Sequence, residues 1–470
     1  MRHFITKFIR SKKIAVIIAA IMVTASSGAV IYAVTNPGLW YVDAFHIPDA
    51  KKAGYTGKGV TIAVMDSPIN PDIPTLKGAN ITIRPKSFCW DTVTGDYSPA
   101  ISTELSGSHN ARHGTGVASM IVGNGVGYSG QQGVVGVASG ARVLYYVTST
   151  TRADKNGEEC ATKDGTSATK GVFVAIAAAM HEAISAGADI ISLSSVGTEE
   201  PYVTAAVADA LRAGVIIVAG LPNDPVGQPA FPAIANGVIA VGAIDSSAKP
   251  NAPGGIPNSY GNGIVVAGPG VLILDQGGAG PTWQNQDVAT GTSLATPVIA
   301  GFLADVKQKY PKATNNQLIQ SLIHNTSRAD KTAPPDSYFG YGIASLTSML
   351  KADPTQYPDV NPLIVAGKRP TSDEIKNGVK PIVNNTVPTE DNTSHLAGWI
   401  LLGTFIVLLL GIAAIVIIIV KKRRARRAKE TLAMTIPLQP QQPMTPVQPT
   451  AFPPAEAPKP DDVFNPFDQK

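Results

Sequence analysis

Ser293 lies in the run GTSLATP, Gly291–Pro297, between a glycine-threonine turn and a small-residue helix start. A serine so placed keeps its hydroxyl accessible while the amides of the first helical turn point at whatever it attacks. By itself such a serine is equally a helix N-cap. Serine is a poor nucleophile until a base takes its proton, and an imidazole base needs a carboxylate to hold its tautomer. Two upstream segments carry these groups: VMDSPIN holds Asp66, and HNARHGTGVASMIVGNG holds His113. Asp66 ends an apolar run, where an aspartate is also a common cap or turn residue; Asp72 and Asp91 are neighbouring carboxylates. His109 competes with His113, but the string HGTGVA selects His113, because glycines at 114 and 116 would let a helix start pack closely against a sheet. The chemistry that joins these three groups is acyl transfer at a carbonyl.

Taken in the order Asp, His, Ser, the segments resemble the signatures of subtilisin-like serine peptidases. The resemblance runs from about Tyr55 to Leu350 and includes GYTGKGVTIAVMD, AGADIISLS, FPAIANGVIAVGAID and FGYGIASL, in the same order. It implies a catalytic triad of Asp66, His113 and Ser293 and an endopeptidase activity. A lipase or esterase fits poorly, since no G-x-S-x-G elbow surrounds Ser293. Pro297 agrees with the family and, so early in a helix, is expected to cost little.

Two departures stand out. Family members usually follow one strand with alanine, glycine and an asparagine whose side-chain amide binds the developing oxyanion. Here Gly220, Leu221, Pro222 and Asn223 follow instead, so either a longer turn lets Asn223 reach or the donor is absent. Where relatives have glycines beside the substrate, this chain has Ser194, Ser195 and Val196 before Gly197. A side chain at Val196 would narrow the groove and favour slow, selective cleavage.

The elements that must position these groups are legible in the apolar pattern. Val60–Met65, Arg142–Val147, Asp189–Leu193, Val215–Ala219 and Val238–Ala243 are Val- and Ile-rich runs without alternation, which marks strands covered on both faces. Between them Gly114–Val122, Gly171–Ala186 and Tyr202–Ala213 read as small-residue helices. The expected fold is therefore α/β, subtilisin-like, with a mostly parallel central sheet and helices on both faces. Sites in such sheets form at the carboxyl ends of strands, where Asp66 falls.

The rest of the chain concerns placement in the cell. Of its 470 residues 44% are hydrophobic and 15% charged, a tightly packed or membrane-associated composition. Seven of the Lys and Arg residues cluster at 421–429 and five at 2–13. Without these twelve, 26 basic residues face 34 acidic ones, so no nucleic-acid footprint is present. Gly398–Val420 is 23 residues without a charge, long enough to span a bilayer. The basic cluster after it places the C-terminus in the cytoplasm. Ile14–Val34 follows basic residues and ends in a small-x-small site at Ser27 and Ala29, as a signal peptide does, with an uncleaved anchor as the alternative. This layout narrows the resemblance to the mycosins, membrane-anchored subtilases of type VII secretion systems.

The expected organisation is a signal peptide or anchor at 1–29, a peptidase domain at 36–350, a flexible stalk at 351–397, a transmembrane helix at 398–420, and a basic then Pro-rich cytoplasmic tail at 421–470. The tail carries ten prolines in its last 40 residues and cannot bury a core. No folding pro-domain is expected between the signal peptide and the first core strand, and Asn36–Ala53, with Trp40 and Tyr41, is expected to wrap the domain. Cys89 and Cys160 both fall in the exported part, in stretches that read as loops, and an oxidising compartment favours their pairing over two free thiols. Two isolated cysteines make no metal site, and neither a metal nor a cofactor is expected. The expected function is a membrane-anchored extracytoplasmic endopeptidase acting on protein or peptide substrates near a type VII-like secretion complex. The alternative is a weakly active or inactive scaffold stabilising such a complex.

Overall fold

The computed structural model describes residues 37–379 other than 93, 107–109, 151–159, 164–167, 224–229, 251–262 and 279. The chain divides into a unit at Met1–Thr389 and another at Glu390–Lys470; the described residues all belong to the first. Among them no helix is long and apolar enough to cross a membrane. The apolar runs at 14–34 and 398–420, the basic clusters, His109 and the Pro-rich tail lie outside the described residues.

The strands, in chain order, are β1 (Thr61–Asp66), β2 (Ile81–Ile83), β3 (Lys86–Asp91), β4 (Asp96–Pro99), β5 (Asn124–Val126), β6 (Gln132–Val135), β7 (Arg142–Val147), β8 (Ile190–Leu193), β9 (Ile216–Gly220), β10 (Ile239–Ile244), β11 (Val266–Pro269), β12 (Ile273–Gln276) and β13 (Gln286–Ala289). The α-helices are α1 (Trp40–Ala44), α2 (Ile47–Lys52), α3 (Arg112–Val122), α4 (Ala168–Ser185), α5 (Pro201–Arg212), α6 (Thr292–Lys309), α7 (Asn315–His324), α8 (Leu346–Lys351) and α9 (Ser372–Asn377). Seven strands form one sheet in the order β11-β10-β9-β8-β1-β7-β2. Every pairing in it is parallel.

The five apolar runs read from the sequence are β1, β7, β8, β9 and β10. β8, β9, β10 and β11 are buried at every residue, which is why they lack alternation. Removing each Val, Ile or Leu side chain from water is worth about 1.5–3 kcal/mol. The chain order reverses across β1, which lies between β7 and β8. In open α/β sheets that switch point opens a crevice beyond the carboxyl ends of the strands, and Asp66 is the last residue of β1.

The segment ahead of β1 wraps the domain. Tyr41 is fully buried and its hydroxyl donates to Val135 O at 2.7 Å, while Trp40 Nε1 donates to Val271 O at 2.9 Å. Phe45 packs on Phe302 of α6. Cys89 and Cys160 form a disulfide. Cys89 lies in β3 of a two-stranded hairpin rather than in a loop, because Phe88 and Cys89 have Val172 and Ala175 of α4 to pack against.

The stretch expected as a stalk behaves differently over its described part. From α8 to Gly378 it lies on the domain as a strap. Asn236 is fully buried; its Nδ2 donates to Val365 O and Pro370 O at 3.1 and 3.0 Å, and its Oδ1 accepts from Val365 N at 2.7 Å. Gln320 Nε2 donates to Val360 O, and Asn361 Nδ2 to Gly237 O. The strap is held largely through its own main chain, with few apolar side chains such as Leu363 packed on the core, and for that reason its sequence reads as a linker. The remainder, 380–397, lies outside the described residues.

Candidate active site

Asp66 emerges at the end of β1 with 2% of its surface exposed. Its Oδ1 receives His113 Nδ1 at 2.7 Å, Ser67 N at 2.7 Å and Ser67 Oγ at 3.1 Å. Its Oδ2 is buried without a hydrogen-bond partner among the described residues. All three donors converge on one oxygen, so the carboxylate is held in a single orientation. Tyr145 supports the turn by donating to Ser67 O at 2.7 Å. Burial, and then the Asp66 charge, push its phenol well above its usual range, so it stays a neutral donor.

His113 is the second residue of α3, and its side chain is 44% exposed, so one edge of the ring remains reachable from outside. The Asp66 charge raises its proton affinity most, burial opposes this, and the Asp66 hydrogen bond and Asp275 add to it; Arg112 acts against it. Gly114 explains the strict H-G sequence: a Cβ there would collide with the Tyr145 hydroxyl and would lie 2.7 Å from Pro68 O. Gly116 behaves otherwise than expected. A Cβ on it would meet only Asp275 Oδ1 at 3.9 Å and Leu294 Cδ2 at 4.0 Å. It faces α6 and β12 rather than the sheet.

Ser293 is the second residue of α6 and 8% exposed. Gly291 precedes the helix in an extended conformation, anchored by its N–H on Gly270 O at 2.8 Å. The first turns of α3 and α6 meet where Gly116 approaches Leu294. Among the described residues no hydrogen bond joins Ser293 Oγ to His113; free enzymes commonly hold this contact long.

Asn223 completes the picture at the turn after β9. Its Oδ1 accepts from Thr292 N at 2.9 Å and from Thr292 Oγ1 at 3.3 Å. A Cβ placed on Gly291 would lie 3.0 Å from Ser293 Oγ and 3.3 Å from Asn223 Nδ2, so both groups border the Gly291 turn. With Oδ1 accepting from Thr292, Nδ2 is the end left to donate elsewhere. Leu221, at the position where the asparagine was expected, is buried and its carbonyl accepts from Thr292 Oγ1.

One residue of the site was not read as functional from the sequence. Ser194, just past β8, donates from Oγ to Ser293 O at 3.1 Å. The signal was there in Pro297: its nitrogen carries no hydrogen, and in a regular helix that hydrogen would have gone to Ser293 O. Pro297 therefore removes a bond that the helix interior needs. Val196, expected to narrow the groove, is 37% exposed beside Gly197, and Gly197 pairs with Phe231. Among the described residues no group of three or more potential ligands could hold a metal ion.

A parallel sheet covered on both faces, with a carboxylate-imidazole pair at its switch point and a serine at a helix start, is the arrangement used by serine hydrolases. The chain belongs to the subtilase family, whose model matches residues 57–342. The minor extracellular protease Epr of Bacillus subtilis (strain 168) is 32% identical over 308 residues; the match takes in 65% of this chain and 40% of Epr, less than half of that relative's length. The crystal structure of fervidolysin from Fervidobacterium pennivorans, described as a keratinolytic enzyme related to subtilisin, superposes with a TM-score of 0.52 at 25% identity, covering 67% of this chain and 46% of that one. MycP1 from the ESX-1 type VII secretion system gives a TM-score of 0.51 at 22% identity over 68% and 87% of the two chains, a likeness of fold.

Proposed function

We propose that this protein is a serine endopeptidase in which Ser293 is the nucleophile, His113 the general base and Asp66 the carboxylate that orients it. The observation that carries this reading is the 2.7 Å hydrogen bond from His113 Nδ1 to Asp66 Oδ1 at the switch point of the sheet. It fixes the tautomer with the proton on Nδ1, leaving Nε2 to take the proton from Ser293 Oγ as the oxygen attacks the peptide carbonyl. The imidazolium then gives that proton to the leaving amine, and water repeats the cycle on the acyl-enzyme. Asn223 Nδ2 and the Ser293 amide would share the oxyanion. The alternative, a weakly active or inactive scaffold, would follow from loss of the oxyanion donor at the unusual turn after β9; the hydrogen bond that ties Asn223 to Thr292, next to Ser293, favours the peptidase reading.

The wider setting is part of the same proposal. The charge-free run at 398–420 followed by the basic cluster supports a single membrane span, with the peptidase unit outside the cell and the tail in the cytoplasm. The run at 14–34 supports an export signal. The fold shared with MycP1, together with this layout, suggests selective processing of proteins that leave through a secretion complex. The test is labelling of the detergent-solubilised full chain with a fluorophosphonate probe. Wild-type protein should be modified at Ser293, and Ser293→Ala should not react. A folded wild-type protein that never reacts would end the proposal.

A further inference from the structure

Asp275 sits on β12, 13% exposed, with Oδ2 3.5 Å from Nε of Arg112, the residue before His113. Gly116 is one turn along α3 from Arg112 and His113 and shares their face. A Cβ on Gly116 would lie 3.9 Å from Asp275 Oδ1, so this carboxylate covers the helix face that carries the imidazole. Asp287 of β13 pairs with Asp275 in register. A Cβ on Gly278 would lie 2.8 Å from Asp287 Cβ and 3.1 Å from Asp275 Oδ2, which puts both acids on one side of the hairpin. The charged groups facing Asp275 are thus Arg112 and His113 from α3 and Asp287 from β13.

We propose that Asp275 is a second positioning carboxylate for His113, stabilising through space the imidazolium that forms during acyl transfer, with Arg112 moderating its pull. The inference rests on the reading of His113 as the general base. Asp66 accepts the hydrogen bond from Nδ1–H and sets the ring's orientation; Asp275 makes no hydrogen bond to the ring and acts by charge alone. Burial pushes the Asp275 carboxyl up to about 6, with Arg112 and His113 drawing it down and Asp287 raising it. His113 is raised above its ordinary 6.5, so Asp275 is ionised where His113 changes state.

The test follows the rate of fluorophosphonate labelling against pH in the purified full chain. For Asp275→Asn the acid limb should move to lower pH, because His113 loses a charge that favours its proton, and the plateau should fall roughly two- to fivefold, the effect of one partly screened charge. Arg112→Gln should move the limb the other way. Thermal unfolding of both variants checks their folding, and the half-exposed Arg112 gives an arm that does not depend on a buried position. A merely structural Asp275 would lower the rate without moving the limb, and unmoved limbs in both variants would overturn the inference. Absence of labelling in the wild type would instead overturn the catalytic reading beneath it.

Discussion

The hydroxyl of Ser194 bonds to the main-chain carbonyl of Ser293 at 3.1 Å, taking the place of the amide that Pro297 lacks. A residue just past β8 thereby holds the first turn of α6, which carries Ser293. Ser194→Ala should lower kcat about three- to tenfold with little change in KM and cost about 1 kcal/mol of stability. In a Pro297→Ala background, where the helix can supply its own amide, the same change should cost clearly less. Equal losses in both backgrounds, measured as a double-mutant cycle, would show that the two residues are not linked.

In the proposed mechanism Asn223 serves the oxyanion through Nδ2, while its Oδ1 accepts from Thr292 N. Asn223→Ala should reduce kcat about 10²–10³-fold, the usual loss for one such donor. Steady-state kinetics on a peptide substrate would show it, with KM nearly constant. A loss below about threefold would mean that the donor is some other group.

The pH dependence follows from His113, whose proton affinity is raised chiefly by the Asp66 charge. The base must be neutral to act, so kcat/KM should be full at alkaline pH and fall as pH drops through a value above the ordinary 6.5. Asp66→Asn should cost about 10⁴ in kcat, because it reverses the tautomer and removes the charge. An acid limb below the ordinary histidine range would contradict the arrangement.

Asp305 of α6 is fully buried, with no well-formed hydrogen bond to either oxygen among the described residues and, as a donor, only the Gly57 amide near enough to favour its charged form. Burial pushes its carboxyl up to about 8, with the Lys51 charge of the N-terminal wrap opposing this. A folded-state value above the unfolded one means that stability is greatest below the unfolded value and is lost as pH rises toward 8. Asp305→Asn should therefore stabilise the protein by roughly 1–3 kcal/mol at pH 8 and make almost no difference near pH 4. Thermal unfolding of both proteins across this range would check it; a less stable variant at pH 8 would show that the Lys51 pairing outweighs the burial cost.

Much of this architecture is written locally. Short unbroken Val and Ile runs of five or six residues, too short for a buried or membrane helix, mark strands covered on both faces, so β1, β7, β8, β9 and β10 and the helices between them follow from composition, length and period. The strings around Asp66, His113 and Ser293 identify themselves because each combines a reactive group with the small residues that its close packing demands, as Gly114 does under Tyr145. What stayed hidden depends on pairs distant in sequence. Whether Asn223 reaches Ser293 turns on the path of three residues after β9, which period cannot specify. The strap after α8 looks like a linker because Asn236 holds its backbone, and backbone bonds leave no mark on side-chain pattern. The approach of Asp275 to the face of His113 joins β12 to α3 across more than 150 residues, and Ser194 meets Ser293 across 99. Residue type and spacing determined which chemistry this chain can attempt; only the folded sheet, by bringing these distant groups within a few ångströms, decided how the serine and the imidazole are held and charged.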